Sequence, residues 1–256
     1  MKRQPFLKKY IAIYRFHRPY GFRQALIRML SIFLELDLFD FKHKTNTRTV
    51  KYTDFSNKNY MHYVPAFTSV VKEMLMFSHN YYISSIKYSD HSRKAIFVDF
   101  GAGLFKTPII ASEIEKFALV GGIEIDPELI EGAKKNIEQL SGQNSDFILI
   151  NGNVEVAASL KSLVDEIKTN GIDPAVSTIF IFNKNSYGPT TLDKSLQNIE
   201  NYFSSIVYLY QNPIHGEVLL KRGYVQFGED DKKSTAHKNY KYNLYFKHAF
   251  VESFPA

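Results

Sequence analysis

Residues 95–126 read AIFVDFGAGLFKTPIIASEIEKFALVGGIEID, and no other stretch limits the fold of this chain as strongly. Its opening run, 95–98, is apolar and as short as a strand buried on both faces. It breaks at once into Asp99-Phe100-Gly101-Ala102-Gly103, a glycine turn from which the pattern predicts a helix. A second apolar run, 117–125, carries one acid at its end, Glu124, 25 residues beyond Asp99. The arrangement predicts a β-α-β unit with two carboxylates at the carboxyl ends of neighbouring strands, where open α/β sheets take their ligands.

The residues around the turn narrow the ligand. Gly101 and Gly103 lack a Cβ, so the chain turns sharply and a ligand can press against the main chain. A G-x-G turn in this place fits a nucleotide-like molecule, but it also fits any tight strand-to-helix turn. A dinucleotide fingerprint would have a small residue at position 106, and this chain has Lys106. Asp99 would repel a diphosphate and suits a cationic group instead, such as the α-ammonium of an amino acid.

With these residues in view, V-D-F-G-A-G followed by G-I-E-I-D-P-E-L resembles motifs I and II of the class I S-adenosylmethionine-dependent methyltransferases. The resemblance implies an α/β fold: a Rossmann-like, doubly wound, mostly parallel seven-stranded sheet with an antiparallel last strand. It implies S-adenosylmethionine as cofactor and no metal. It puts Asp99 at the methionine moiety, Gly101 and Gly103 against the cofactor, Glu124 on the two ribose hydroxyls, and Ile125 in the same pocket. The residues agree at Glu124, because an ionised carboxylate accepts two hydroxyl hydrogen bonds side by side.

The rest of the chain reads as a continuation of that pattern. Residues 127–140 form a helix with Asp126 as N-cap and Pro127 in the first turn, and Gly142 stops it. A strand over 146–150 runs into Asn151-Gly152-Asn153. The family commonly has an acid where Asn153 stands, to accept from the adenine amino group, and Asn keeps one acceptor oxygen for that contact. A helix over 157–168 precedes a strand over 178–182. Then come a helix over 192–203, a strand over 205–210, a helix over 214–221, and strands over 224–227 and 242–248 separated by a charged loop, 228–240.

The loop 183–189, Asn-Lys-Asn-Ser-Tyr-Gly-Pro, follows the central strand and is the expected methyl-acceptor site. It resembles in part the Asn-Pro-Pro-Tyr/Phe motif of amino-directed methyltransferases and the Asn-Pro-Phe-Gly form of related proteins, with neither proline in place. Asn183, Asn185 and Tyr187 are therefore the catalytic candidates, for a nitrogen or an oxygen acceptor; a plain surface loop is the other reading. Ahead of the first strand, residues 62–65 read His-Tyr-Val-Pro and lead into a helix over 67–77. Some methyltransferases carry a Tyr-x-Pro element here that covers the methionine end of the cofactor, which makes Tyr63 a cofactor candidate; the alternative is a packed aromatic pair with His62.

Charge is concentrated at the other end. Residues 1–34 carry eight of the chain's 32 Lys and Arg and none of its 26 acids. Between 22 and 36 apolar residues recur every three or four positions, predicting an amphipathic helix. That combination fits an anionic partner, whether membrane surface, glycolipid or nucleic acid; it fits equally a helix packed on the main domain with solvated arginines. The polar stretch 39–60 reads as a connector or lid. We expect a basic helical extension over 1–60 and the Rossmann-like domain over 61–256.

Composition sets outer bounds. A chain of 256 residues with 45% apolar and 15% aromatic content can bury a sizeable core. It has no cysteine, which excludes disulfides, thiolate nucleophiles and zinc-cysteine sites. No apolar run nears the 18 residues of a membrane span, and the reading is a cytoplasmic protein, soluble or peripheral at a membrane. Paired carboxylates, His-x-x-His spacing and Ser-His-Asp arrangements are lacking. Two functions stand: an S-adenosylmethionine-dependent methyltransferase, or a binding or scaffold protein that keeps the fold without acceptor chemistry. A nicotinamide dehydrogenase is disfavoured by Asp99 and Lys106.

Overall fold

A computed structural model describes residues 21–48, 64–85, 93–114, 116–140, 147–184, 187–235, 237 and 240–248, without the side chains of 24, 28, 83–85 and 228–231. The candidates Tyr63 and Asn185, with His62, lie outside them. Seven strands form one sheet in the order β3-β2-β1-β4-β5-β7-β6. They are β1 Ala95–Phe100, β2 Leu119–Glu124, β3 Phe147–Asn151, β4 Thr178–Asn183, β5 Ser205–Gln211, β6 Val225–Lys233 and β7 Lys241–His248. The first five are parallel, β7 runs antiparallel to β5, and β6 runs antiparallel to β7.

Strand periodicity splits the core in two. Phe97, Phe180, Phe182, Val207 and Leu209 face one side; Ile96, Val98, Ile179, Ile181, Ile206 and Tyr208 face the other. The first side is covered by α3 (Thr68–Ser85), α4 (Lys106–Ser112) and α5 (Pro127–Leu140), through residues such as Val70, Met74, Ile109 and Ala133. The second is covered by α6 (Ala157–Thr169), α7 (Pro189–Glu200) and α8 (Gly216–Lys221), through Leu160, Leu163, Leu196 and Leu219. Helices on both faces of a mostly parallel sheet are the doubly wound arrangement.

In the sequence the β2 glycines are simply part of an apolar run, and the fold explains them. A Cβ on Gly122 would lie 2.4 Å from Cβ of Ala102 and 3.2 Å from the ring of Phe105. Strand β2 is therefore shaped so that the turn after β1 can rest on it.

Several boundaries differ from the sequence reading. The N-terminal helix does not give way to a connector at 39: α1 (Phe22–Ile32) runs through a π-helical segment, Phe33–Asp37, into α2 (Leu38–His43). The apolar spacing continues there, with Leu36, Phe39 and His43 buried. Lys44 ends the helix in the left-handed conformation, φ 56°. Residues 45–47 are then stitched down: Thr45 and Thr47 donate to Asp40, Asn46 N–H donates to Asn136 at 2.8 Å, and Asn136 donates to the carbonyl of Leu104 at 2.9 Å. Helix α3 continues to Ser85 because Tyr81 and Tyr82 prolong its packed face, Tyr82 reaching Thr178 by a hydroxyl hydrogen bond. Helix α7 starts at Pro189, whose fixed φ suits a first helical position. Strand β6 extends to Lys233 through residues read as loop, after a register shift between Phe227 and Lys232. It is an edge strand, where charge and a bulge are tolerated.

Candidate functional site

The site is built at the carboxyl ends of β1, β2, β3 and β4. Two consecutive amides of the turn, Gly101 and Ala102, donate to the carbonyl of Ile123 at 2.9 and 3.0 Å, which folds the turn onto β2. Gly101 (φ 90°), Gly103 (φ 55°) and Phe105 (φ 72°) all adopt positive φ. Two of the three are glycines, which bear this without strain. Phe105 bears it with its ring wholly buried, so core packing holds a conformation that side chains disfavour.

Glu124 and the turn are one unit. One carboxylate oxygen accepts from Gly103 N–H at 2.8 Å and the other from Ile125 and Asp126 N–H at 2.8 and 2.9 Å. Burial pushes this carboxyl above its ordinary range and the three amides draw it back only in part. Those amides occupy three of roughly four lone-pair positions. A diol reaching Glu124 would thus share its oxygens with backbone donors. The β2 and β3 ends are joined as well, Gly152 N–H donating to the carbonyl of Glu124 at 2.9 Å.

Asp99, the last side chain but one of β1, is 4% exposed. Burial pushes its carboxyl well above the usual range; the Thr107 hydroxyl bonded to it pulls down, the negative charge of Glu124 pushes up, and the Lys184 ammonium pulls down. Lys184 was not singled out by sequence, although it directly follows Asn183. Its ammonium donates to the carbonyls of Val64 and Pro65 at 2.8 and 3.3 Å, and burial brings its pKa to about 8 against the pull of Asp99. It fastens the start of the loop after β4 to the segment before α3.

Lys106 plays a different part from the one its position suggested. Its side chain is buried away from the turn, donating to the carbonyl of Glu35 at 2.6 Å and lying 4.9 Å from the centre of the Phe39 ring. Burial lowers its pKa to about 7, with Asp40 and Glu35 opposing. Glu35 itself accepts from Ser69 Oγ at 2.7 Å and lies 3.0 Å from His237 Nε2. The helix after the glycine turn is thereby tied to the N-terminal helical segment and to the residues before β7.

The remaining candidates divide. Asn183, buried at the end of β4, stands beside Tyr210 of β5 and one strand from Asp99. The Tyr187 hydroxyl is pushed well above its ordinary range by burial and then by the carboxylates of Glu124, Asp99 and Glu155. Asn153 turns its one acceptor oxygen to Glu155 N–H at 2.9 Å. Glu155, also unremarked in sequence, accepts from the Thr191 hydroxyl and fixes the β3 loop to α7. Ile125 is 39% exposed beside this loop. Among the described residues no group of three or more His, Cys, Asp or Glu is placed to hold a metal ion, and no helix is long and apolar enough to cross a membrane.

No protein-family model matches the chain, and no curated protein does. Solved structures do. The human methyltransferase 10 domain containing protein is similar over 85% of this chain and 95% of its own, at 12% identity and a TM-score of 0.50. A Pyrococcus horikoshii protein proposed to be an RNA methyltransferase is similar over 84% and 97%, at 13% identity and a TM-score of 0.50. TrmK of M. capricolum, determined with S-adenosyl-homocysteine, aligns over 71% and 70%, at 16% identity and a TM-score of 0.43. Together with the strand order, the first two likenesses define the fold alone: a Rossmann-like, doubly wound, mostly parallel seven-stranded sheet shared with these two structures.

Proposed function

We propose that this protein transfers the methyl group of S-adenosylmethionine to a nitrogen or oxygen acceptor. The observation that carries the reading is the joining of Asp99 and Glu124, two buried acids on adjacent strand ends, across a turn whose Gly103 amide is bonded to Glu124. The residues fit the cofactor. A carboxyl forced up by burial, as at Asp99, is returned to its ionised form by a cationic neighbour such as an α-ammonium. The positive-φ glycines leave the backbone open beside it. Glu124 offers oxygen to a ribose hydroxyl, and the Asn153 amide, its oxygen engaged, retains N–H donors for an adenine ring nitrogen.

When bound, the cofactor supplies a methyl group on a sulfonium, which leaves as a neutral thioether and asks for no proton. The chain's own work is then placement, and orientation at near-attack distance accounts for much of such a rate. Asn183 presents an amide at the end of β4 to orient an acceptor. Tyr187 keeps its proton, since burial and three carboxylates oppose its ionisation, and serves as a ring surface or hydrogen-bond donor. Lys184 holds the loop start in place. The 183–189 loop, with neither motif proline in place, favours the second reading, a cofactor-binding scaffold without turnover.

The test is methyl transfer itself. With isotope-labelled S-adenosylmethionine and panels of small amines, hydroxyl compounds, protein and RNA, label should move to one acceptor class and S-adenosyl-homocysteine should accumulate. Tight cofactor binding with no transfer to any class would favour the scaffold.

A further inference from the structure

The helical segment over 22–43 is apolar on two faces. Its inner face, Ala25, Leu36, Phe39 and His43, is buried against the domain. Its outer face is exposed: Leu26, Leu30, Leu34 and Leu38 are between 42% and 55% exposed, and Phe41 is 83% exposed. Residues four apart in an α-helix advance by about 40° around the axis, so three such steps would carry a stripe a third of the way round. The wider turn of the π-helical segment Phe33–Asp37 takes back part of that drift before Leu38. A helix hydrophobic all round is ordinarily buried, so the outer stripe implies a covering partner.

Charge says which partner. All three acids of 21–48 are turned into the protein: Glu35 to Ser69 and His237, Asp37 to Arg48 at 2.6 Å, Asp40 to Thr45 and Thr47. Arg23 and Lys44 are exposed, and residues 1–20 add six Lys or Arg and no acid. A second copy would bring one cationic face against another, since a two-fold interface pairs a patch with itself. Nucleic acid is read by stacking rings and hydrogen-bonding groups, which an aliphatic stripe does not offer.

From these observations we infer that the outer stripe of residues 26–41 lies in the surface of an anionic lipid bilayer, its leucines and Phe41 among the acyl chains and its cations at the headgroups. This is the arrangement of an interfacial helix, with apolar burial and electrostatic attraction acting together. The inference is independent of methyl transfer.

The test uses the full chain and vesicles of phosphatidylcholine alone or with about one-third phosphatidylglycerol, sedimented across a salt series. The wild type should bind the anionic vesicles at least about tenfold better than the neutral ones, and less as salt rises. Leu30→Glu/Leu34→Glu should lose at least about tenfold of that binding with its melting temperature unchanged, because both side chains are already exposed. Four outcomes overturn the inference. One is no difference between vesicle types. A second is a double variant that melts lower yet binds as before, which would show the stripe covered by the chain itself. The third is a wild type that is dimeric, indifferent to vesicles and made monomeric by the substitutions. Salt-sensitive binding to RNA in place of vesicles would also overturn it.

Discussion

Glu124 accepts the backbone N–H of Gly103 at 2.8 Å, so the acid that ends β2 holds the turn that follows β1. The two sequence motifs are thus one structural object, and altering either end should disturb both. Gly122 completes the contact by letting Ala102 approach the strand.

The glycine gives the plainest stability prediction. Gly122→Ala should destabilise the fold by about 1–3 kcal/mol, the usual cost of forcing a group into a packed core. Gly188→Ala is the control, because a Cβ there meets nothing within 4 Å. Urea unfolding of both variants should show a lowered midpoint for the first and little change for the second.

Lys106 should make stability depend on pH. Its folded pKa is about 7 against an ordinary 10.5, so the native state disfavours the charged form. Below 7 that cost is borne in full, and it fades as pH rises from 7 to 10.5, where the unfolded chain releases the same proton. Lys106→Met keeps the bulk without the charge, and Glu35 still has Thr68 as donor to its carbonyl. The variant should gain stability over wild type near pH 6 and lose that advantage toward pH 10, measured as the difference in unfolding midpoints. A constant difference would contradict the buried-charge account.

Asp99 predicts a proton released on binding. Its carboxyl lies well above the ordinary 3.8 through burial and the nearby Glu124 charge, and a cationic ligand favours its ionised form. Calorimetric heats of S-adenosyl-homocysteine binding should vary with the ionisation enthalpy of the buffer, and affinity should rise with pH. Both effects should vanish in Asp99→Asn.

The acceptor loop should act on the second substrate only. Once an acceptor is known, Asn183→Ala and Tyr187→Phe should lower turnover by about tenfold or more while cofactor affinity stays within about twofold, the signature of groups that touch one substrate. Equal losses in both would place these side chains in the cofactor pocket.

Much of this was legible in the sequence because it is local. The apolar run 95–98, the turn glycines and the caps at Asp126 and Pro127 depend on neighbours in the chain, and β1, β2 and α5 fall where they were expected. What stayed hidden depends on distant partners. Nothing near Lys106 in sequence announces Glu35, 71 residues away, as the acceptor that turns its ammonium from the site. Lys184 gains its meaning only from Val64 and Pro65, and the continuation of the helix through His43 from the surfaces that Phe39 and His43 bury against. The polar composition of 39–60 suggested a connector, yet Thr45, Asn46 and Thr47 are polar because they bind Asp40 and Asn136.

The central claim is that Glu124 and Asp99 anchor S-adenosylmethionine beside the glycine turn, and its most direct test is calorimetric titration of S-adenosyl-homocysteine into wild type and Glu124→Ala, with melting temperatures to confirm folding. We predict measurable wild-type binding that weakens by about 1–3 kcal/mol, roughly 5- to 150-fold, when the hydroxyl partner is removed. Equal affinity in a folded Glu124→Ala, or no binding to the wild type, would contradict it.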